Sequence, residues 1–228
     1  MLIYDIRVYF LLYMIYSVLG WILEVTCKLF QYKRFINRGF LIGPYCPIYG
    51  FGAVIITIFL QKYLNDPITL FVMAILICSI LEYFTSYFME KFFNARWWDY
   101  SNYRFNINGR ICLETTIPFG IFGSLIMYVS NPFLIKYITR VDNAILTIIS
   151  SVIAIIFLVD NIVSFKIMFG VRGITRDFNK NIKDNTEEIT AKVKEALKKK
   201  SFLSKRLISA FPKFESVKFK LKERKNNR

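Results

Sequence analysis

The chain has 228 residues, of which 55% are apolar, 18% are aromatic and 21% are charged, and its net charge is +15. The apolar and aromatic content exceeds that of an ordinary water-soluble domain. No histidine is present, which excludes Ser-His-Asp triads, imidazole proton relays and His-based metal sites. The four cysteines lack CxxC spacing and indicate small core residues. We therefore expect neither a metal nor a cofactor.

Five stretches of about 20 residues, each with no more than one charged side chain, are long enough to cross a bilayer as helices. In chain order they lie at about 8–26, within 39–61, and at about 67–89, 111–135 and 143–165. The second stretch carries two prolines and several glycines in its first half, which predicts a broken helix or re-entrant loop there. The sequence therefore predicts an all-α polytopic membrane protein with five transmembrane helices.

The distribution of Lys and Arg predicts the orientation of these spans in a cell membrane. The connections after the first and third spans hold eight such residues, whereas the opposite side holds four. Positively charged residues resist translocation across the membrane. The N-terminus is therefore expected outside the cell and the C-terminus in the cytoplasm.

An internal repeat is indicated by the triplet Ile22-Leu23-Glu24, which recurs as Ile80-Leu81-Glu82. After each triplet the chain carries an Asn with a nearby Arg, then a Pro and two Gly residues, in the same order. Two parallel two-span repeats, at about 8–61 and 67–135, would account for this pattern, followed by the fifth span. Chance resemblance between apolar segments is the alternative.

The carboxylates inside the spans indicate a polar site. An isolated carboxylate at this depth costs about 2.5–3.5 kcal/mol on insertion scales, so the acids should face inward and find partners. With the predicted topology they lie in the cytoplasmic half, where Arg38 and Arg110 could clamp them. We expect one polar cluster, and its candidate substrate- or ion-binding residues are Glu24, Glu82, Glu114, Asp160, Arg38, Arg110, Asn37, Asn108, Asp99 and Tyr49.

Two interpretations of this cluster stay open. It forms a cavity open to the cytoplasm that binds a cation or proton, or its ion pairs only hold the helices together. Asp99 is expected to act as a cap or to pair with Arg96 or Arg104. The aromatic residues around Asp99 are interpreted as an interfacial belt: Trp97, Trp98, Tyr100 and Tyr103.

Residues 1–165 thus form the predicted transmembrane domain, and residues 166–228 form a basic cytoplasmic tail. The tail carries nineteen basic and seven acidic residues. Apolar residues from Ile174 to Leu197 follow a helical spacing, so part of the tail is predicted to be helical. We expect the tail to contact anionic lipid headgroups, because each basic side chain near such a surface contributes about 1 kcal/mol. A disordered tail that only secures topology is the alternative, and no nucleic-acid partner is expected.

Three further motifs occur along the chain. They are Asn37-Arg38-Gly39-Phe40-Leu41-Ile42-Gly43-Pro44 leading into Pro47-Ile48-Tyr49-Gly50, the box Trp98-Asp99-Tyr100-Ser101, and Asn108-Gly109-Arg110-Ile111-Cys112-Leu113. Together they resemble the bacterial CmpB-type family, which is described as ABC-transporter permeases. The resemblance covers about residues 8–165 and implies a small integral membrane protein. The chain has no Gly-rich phosphate loop with Lys-Ser/Thr, so any ATP hydrolysis is expected to come from a separate ATPase subunit.

The leading functional hypothesis is a permease-like protein that passes a small or amphiphilic substrate through a polar cavity on the cytoplasmic side, alone or as a homodimer. One alternative is a membrane-embedded enzyme that modifies lipid or isoprenoid substrates, with Glu24, Glu82 or Glu114 as acid and base. Because the chain lacks His and an identifiable activated Ser or Cys, we assign no catalytic residue. A non-catalytic membrane regulator is the third hypothesis.

Overall fold

The structure is a computed structural model that describes residues 5–33, 35–37, 39–93, 95–181, 206 and 215–216. Of the ten candidate site residues, Arg38 lies outside this range, as does most of the predicted tail helix beyond Asn181. The described chain is built mainly of helices. They are α1 (Ile6–Tyr32), α2 (Pro47–Phe59), a 3₁₀ turn (Gln61–Tyr63), α3 (Pro67–Phe93), α4 (Leu113–Leu125), a π-helical turn (Ile126–Ser130), α5 (Asn131–Ile138) and α6 (Asn143–Asn181).

Local side chains define several of the helix ends. Asp5 caps α1 by accepting a hydrogen bond from the Arg7 amide, at 2.9 Å, and Lys33 ends α1 in the left-handed conformation. Asp66 accepts hydrogen bonds from the amide and hydroxyl of Thr69 at the start of α3. α2 begins at Pro47, whose missing N–H costs nothing in the first helical turn.

Four of the described helical segments are long and apolar enough to cross a membrane: Ile6–Tyr32, Pro67–Phe92, Leu113–Ile138 and Asn143–Phe169. The second predicted span is absent from this set. Residues 39–46 are not helical, as the glycines and prolines there predict, and α2 has only 13 residues. At about 1.5 Å per residue α2 is roughly 20 Å long, which is shorter than the ~30 Å hydrocarbon core. Five complete crossings therefore remain a prediction.

Tyr100 in the connection before α4 lies close to both Glu24 of α1 and Glu82 of α3, so the connection before α2 and the connection before α4 lie at one end of the bundle. We call this the loop end. The first of these connections is tied to α1 by a 2.8 Å hydrogen bond from the Cys46 amide to the Ser17 carbonyl. The second connection holds the strands β1 (Ala95–Arg96), β2 (Asn106–Ile107) and β3 (Ile111–Cys112).

The strands form two short antiparallel ladders at the loop end. β2 pairs with β3 through a turn in which Asn108 and Gly109 both have positive φ, as a type I′ turn requires. β1 pairs with a fourth strand, β4 (Glu215–Ser216), which belongs to the tail. The tail therefore returns to the bundle at the loop end.

The interior of the bundle is mostly aliphatic, with one polar contact that joins three helices. Leu12 is almost completely buried in a cluster with residues of α2, α5 and α6, and a second cluster buries Ile56, Leu60, Leu70 and Ala74. Among them, the buried Asn131 side chain accepts a hydrogen bond from the Tyr16 hydroxyl and donates one to Thr57, each at 2.8 Å. Every partner in this group is satisfied, so it stabilises the packing of α1, α2 and α5.

Candidate functional site

A carboxylate on α1 is bound by a tyrosine of α2 at the loop end. The Tyr49 hydroxyl donates a 2.8 Å hydrogen bond to Glu24, and both side chains are half-buried. Gly20 lies one helical turn before Glu24 and leaves the space that the Tyr49 ring fills. A Cβ atom at Gly20 would come 2.3 Å from the ring. The close approach of α1 and α2 therefore brings Tyr49 to the carboxylate.

A second carboxylate, on α3, has the same kind of partner. The Tyr100 hydroxyl donates a 3.3 Å hydrogen bond to Oε1 of Glu82. Tyr100 comes from the second connection, and its backbone amide is fixed by a 2.8 Å bond to the Gly109 carbonyl. Within the described residues, Oε2 of Glu82 and the hydroxyl of Ser79 are buried without a hydrogen-bond partner. Glu82 thus retains unused binding capacity in the interior.

The two carboxylates act on the same tyrosine. Burial and the nearby negative charges of Glu82 and Glu24 raise the pKa of the Tyr100 hydroxyl above its usual value of 10.0. Tyr100 therefore remains a neutral hydrogen-bond donor near both acids. The hydroxyl of Tyr100 is directed to Glu82 by the folded connection, and its place in an interfacial aromatic belt stays a prediction.

The arginine of the second connection pairs with a carboxylate that the sequence did not select. Arg110 contacts Glu90 at 3.0 Å and donates to the Ser86 hydroxyl at 3.2 Å. Arg96 contacts the same Glu90 at 2.9 Å and Asp99 at 3.4 Å, so one of the expected partners of Asp99 is observed. Among the ion pairs of the described residues, the expected pairing of Arg110 with one of the four span carboxylates does not occur. Glu90 lies eight residues, or about 12 Å, further along α3 than Glu82, where the turn before β3 places Arg110.

The two candidate asparagines also bind elsewhere. Asn37 accepts a 2.7 Å hydrogen bond from the Trp21 indole and a 3.2 Å bond from the Gly39 amide. Asn108 donates to the Tyr83 hydroxyl at 2.9 Å. Both residues therefore shape the connections at the loop end, and no contact with a span carboxylate is among their hydrogen bonds in the described chain.

Asp160 on α6 forms a separate site with the first connection. Its carboxylate accepts hydrogen bonds from the amides of Ile42 and Gly43, at 2.9 and 2.7 Å. The hydroxyls of Tyr45 and Ser164 complete the set, at 2.5 and 2.8 Å. The fourth carboxylate, Glu114, is exposed in the first turn of α4.

The single polar cluster expected from the sequence is therefore divided into separate groups. Glu24 and Glu82 share one group with their tyrosines, Asp160 has a group of its own, and Arg110 belongs to an ion-pair group around Glu90. The described residues contain no arrangement of three or more His, Cys, Asp or Glu side chains that could hold a metal ion.

Comparison with known proteins gives one match. The family model described as "Putative ABC-transporter type IV" (ABC_trans_CmpB) matches residues 11–165. No curated protein and no solved structure matches the chain. The matched region covers most of the first and last apolar helices and all of the other two, together with α2 and both loop-end connections, and it is more than half of the chain. The protein is a multi-pass membrane protein, and it belongs to the ABC_trans_CmpB family, whose description is "Putative ABC-transporter type IV".

Proposed function

We propose that the protein is the membrane-spanning component of a transporter, and that Glu24 and Glu82 bind the cationic part of a small or amphiphilic substrate, or a proton. The observation that carries this proposal is the pair of acid–tyrosine contacts at one level of the bundle. The Tyr49 hydroxyl donates to Glu24 at 2.8 Å, and the Tyr100 hydroxyl donates to Glu82 at 3.3 Å. Such intramembrane acids are costly and usually serve substrate or ion pathways.

The unused hydrogen-bonding capacity of Glu82 supports a ligand rather than a purely structural role. If Glu82 only held the helices together, both of its carboxylate oxygens would be expected to have hydrogen-bond partners, because an unpaired buried polar atom costs about 1–3 kcal/mol. Oε2 of Glu82 and the nearby Ser79 hydroxyl lack protein partners in the described chain. A bound cation or a proton on the carboxyl group would remove this cost.

The packing of the helices supports the two-span repeat. The spacing along the chain that separates Glu24 from Glu82 also separates Tyr13 from Phe71. Each of these aromatic side chains packs against a glycine of the next helix. A Cβ atom would come 2.7 Å from Tyr13 at Gly50 and 2.6 Å from Phe71 at Gly120. In the proposed arrangement the substrate passes between the two helical hairpins, α1–α2 and α3–α5.

The proposed topology has five crossings, with the N-terminus outside and the C-terminus in the cytoplasm. Residues 39–46 and α2 together complete the second crossing, because irregular backbone is tolerated in a membrane where protein groups bind it. The excess of Lys and Arg at the loop end supports a cytoplasmic location for that end. The acid–tyrosine group then opens to the cytoplasm.

The proposed partners follow from the family and from the charge of the tail. A separate ATPase subunit would supply the energy, as the family description implies. The basic tail would contact anionic lipid headgroups at the inner surface. A homodimer would provide more helices around the pathway than one chain supplies.

Transport can be tested in inside-out membrane vesicles from cells that express the chain with its genomic neighbours. The probe is ethidium, an amphiphilic cation, and its ATP-dependent accumulation is followed by fluorescence. Because charge-assisted contacts are lost, Glu24→Gln and Glu82→Gln should each reduce uptake at least tenfold. Glu114→Gln is the matched control, since this exposed carboxylate should leave uptake unchanged.

The double variant Glu24→Gln/Glu82→Gln decides the proposal. If it is correctly inserted and accumulates ethidium as fast as the wild type, the proposed binding role of these acids is wrong. Conversion of a labelled lipid by the wild-type vesicles, without solute movement, would instead favour a membrane-embedded enzyme. Co-purification of a partner without either activity would favour a regulator.

A further inference from the structure

The loop at residues 39–43 is bound from two sides by groups of opposite charge. On one side the amides of Ile42 and Gly43 donate hydrogen bonds to the Asp160 carboxylate, at 2.9 and 2.7 Å. On the other side three carbonyl oxygens accept hydrogen bonds from the guanidinium of Arg206 in the tail. They belong to Gly39 at 3.1 Å, Ile42 at 2.9 Å, and Leu41. The loop therefore separates an anion from a cation.

The two sides are connected through shared peptide groups. The Ile42 amide and the Leu41 carbonyl belong to one peptide, and the Gly43 amide and the Ile42 carbonyl belong to the next. In a trans peptide the N–H and the C=O point in opposite directions, and the described chain contains no cis peptide bond. Both peptide dipoles thus align between the charges, and hydrogen bonds in such chains polarise one another. Asp160 makes these carbonyl oxygens stronger acceptors for a cation.

We propose that the carbonyl oxygens of Gly39, Leu41 and Ile42 form a binding site for a guanidinium cation, and that Arg206 is its tethered occupant. A planar guanidinium has five N–H donors in a fixed fork, which suits several carbonyl oxygens at once. Unwound backbone in transporters coordinates cations through carbonyl oxygens in a comparable way. This inference concerns a site separate from Glu24 and Glu82 and does not depend on the proposed transport.

The surroundings of Arg206 agree with a binding site that takes in a cation. The guanidinium is partly removed from solvent, and this burial lowers the pKa of Arg206, while the charge of Asp160 opposes the effect. Asp160 makes no hydrogen bond to Arg206 among those described, and it stabilises the cation by its charge and by binding the two peptides that carry the carbonyl groups. Asp160 is therefore a positioning residue for the cation.

The site is tested by replacing its occupant in the full-length protein. In detergent micelles, calorimetric titration should show that Arg206→Ala binds methylguanidinium at least tenfold more tightly than the wild type, because the tethered competitor is gone. Tetramethylammonium, which has the same charge but no N–H donor, should not bind. Equal affinities of the wild type and Arg206→Ala for methylguanidinium would overturn the proposal.

A further variant tests whether Asp160 strengthens the carbonyl oxygens as acceptors through the two shared peptide groups. Adding Asp160→Asn to Arg206→Ala should weaken methylguanidinium binding about tenfold, because the carboxylate charge no longer attracts the cation or polarises the two peptides. The matched control is Ser164→Ala in the same background. It removes one hydrogen bond from Asp160 but keeps the charge, so the affinity should change less than twofold. An equal loss of methylguanidinium affinity in both variants would exclude this effect of the Asp160 charge.

A second variant covers the case in which Arg206→Ala does not fold. Arg206→Lys keeps a tethered cation but offers a compact ammonium in place of the planar fork. Methylguanidinium should displace the lysine more easily than the arginine. Arg206→Lys should therefore bind methylguanidinium more tightly than the wild type does, and less tightly than a site without a tethered cation would. An affinity no higher than that of the wild type would contradict the proposal.

Discussion

The two connections at the loop end deliver a tyrosine to a carboxylate in different ways. The first connection, before α2, is held from outside by Asp160 of α6 and Arg206 of the tail. The second, before α4, is held by ion pairs among residues of its own helix and loop, in which Arg96 and Arg110 share Glu90. The tail contacts both connections, because β4 also pairs with β1 of the second one. The difference lies in the charged side chains: those that bind the first connection come from distant parts of the chain, whereas those that bind the second come from its own helix and loop.

The acid–tyrosine hydrogen bonds are thus alike in the two halves, whereas the groups that hold the two connections in place differ. Glu24 and Glu82 both accept a hydrogen bond from a tyrosine, yet one tyrosine is carried by a helix and the other by an irregular loop. Two such acid–tyrosine hydrogen bonds are expected if the site is built from two related helical hairpins. Disturbing one connection should therefore affect its own tyrosine first, and the following substitutions test this expectation.

Glu90→Gln should have the largest effect and should act on the second connection. It removes the shared carboxylate of Arg96 and Arg110, whose side chains are only 10% and 9% exposed. Leaving buried charges without their partner should lower the free energy of unfolding by about 3 kcal/mol. Chemical denaturation in detergent, followed by Trp fluorescence, measures the loss.

Glu114→Gln is the control for this substitution, because its carboxylate is exposed and should contribute little to stability. Hydrogen exchange should further show faster opening of the Tyr100 amide than of the Cys46 amide in Glu90→Gln. Equal acceleration at the two amides would mean that the connections are not independent.

Gly50→Ala should have the next largest effect, at the contact between α1 and α2. Its Cβ atom would lie 2.3 Å from both the Tyr13 carbonyl and the Ser17 hydroxyl. Because the carbonyl belongs to backbone, the helices must separate, at a cost of about 2 kcal/mol. Gly52→Ala is the matched control, because the added Cβ atom would lie 3.6 Å or more from its nearest neighbours. This variant should be as stable as the wild type.

Gly109→Ala should cost about 1.5 kcal/mol in the second connection. Gly109 has a φ of +65°, which an L-residue adopts only with strain, and the added Cβ would lie 2.4 Å from the Asp99 carboxylate. The same substitution at Gly39 in the first connection meets its nearest atom at 3.1 Å, without positive φ, and should cost less. Denaturation midpoints compare the two variants, and a larger loss at Gly39 would reverse the comparison of the connections.

The sequence predicted the long helices, because they depend on the pattern of apolar residues. The shared level of the four acids in the membrane stays a prediction. The break before α2 was predicted from its glycines and prolines. The partners could not be predicted in the same way. Glu90 lies just beyond the predicted third span, so its burial was not anticipated, and Asp160 binds backbone amides, which have no sequence signal.

The contacts of the tail and of the Trp98-Asp99-Tyr100-Ser101 box could not be predicted from the sequence either. Arg206 is one of nineteen basic residues after the fifth span, and only the folded chain distinguishes it from the others. Tyr100 resembles an interfacial aromatic residue in sequence. Its burial depends on the turn at Asn108 and Gly109, which fixes the backbone through Tyr100.

The smallest expected effects come from the two tyrosines, and they compare the connections directly. Tyr49→Phe removes a 2.8 Å hydrogen bond to Glu24, whereas Tyr100→Phe removes a 3.3 Å bond to Glu82. Since a well-formed hydrogen bond contributes about 1 kcal/mol, Tyr49→Phe should lose about that amount. The longer contact should contribute about half as much, because hydrogen bonds weaken with distance.

The two tyrosine effects should also respond differently to damage in the second connection. In a Glu90→Gln background the loss caused by Tyr100→Phe should shrink, because the tyrosine is no longer held against Glu82. The loss caused by Tyr49→Phe should persist, since Tyr49 belongs to α2 and Cys46 remains bonded to Ser17. Double-mutant cycles measure both couplings. A coupling of Glu90 to Tyr49 as large as its coupling to Tyr100 would show that the two connections act as one unit.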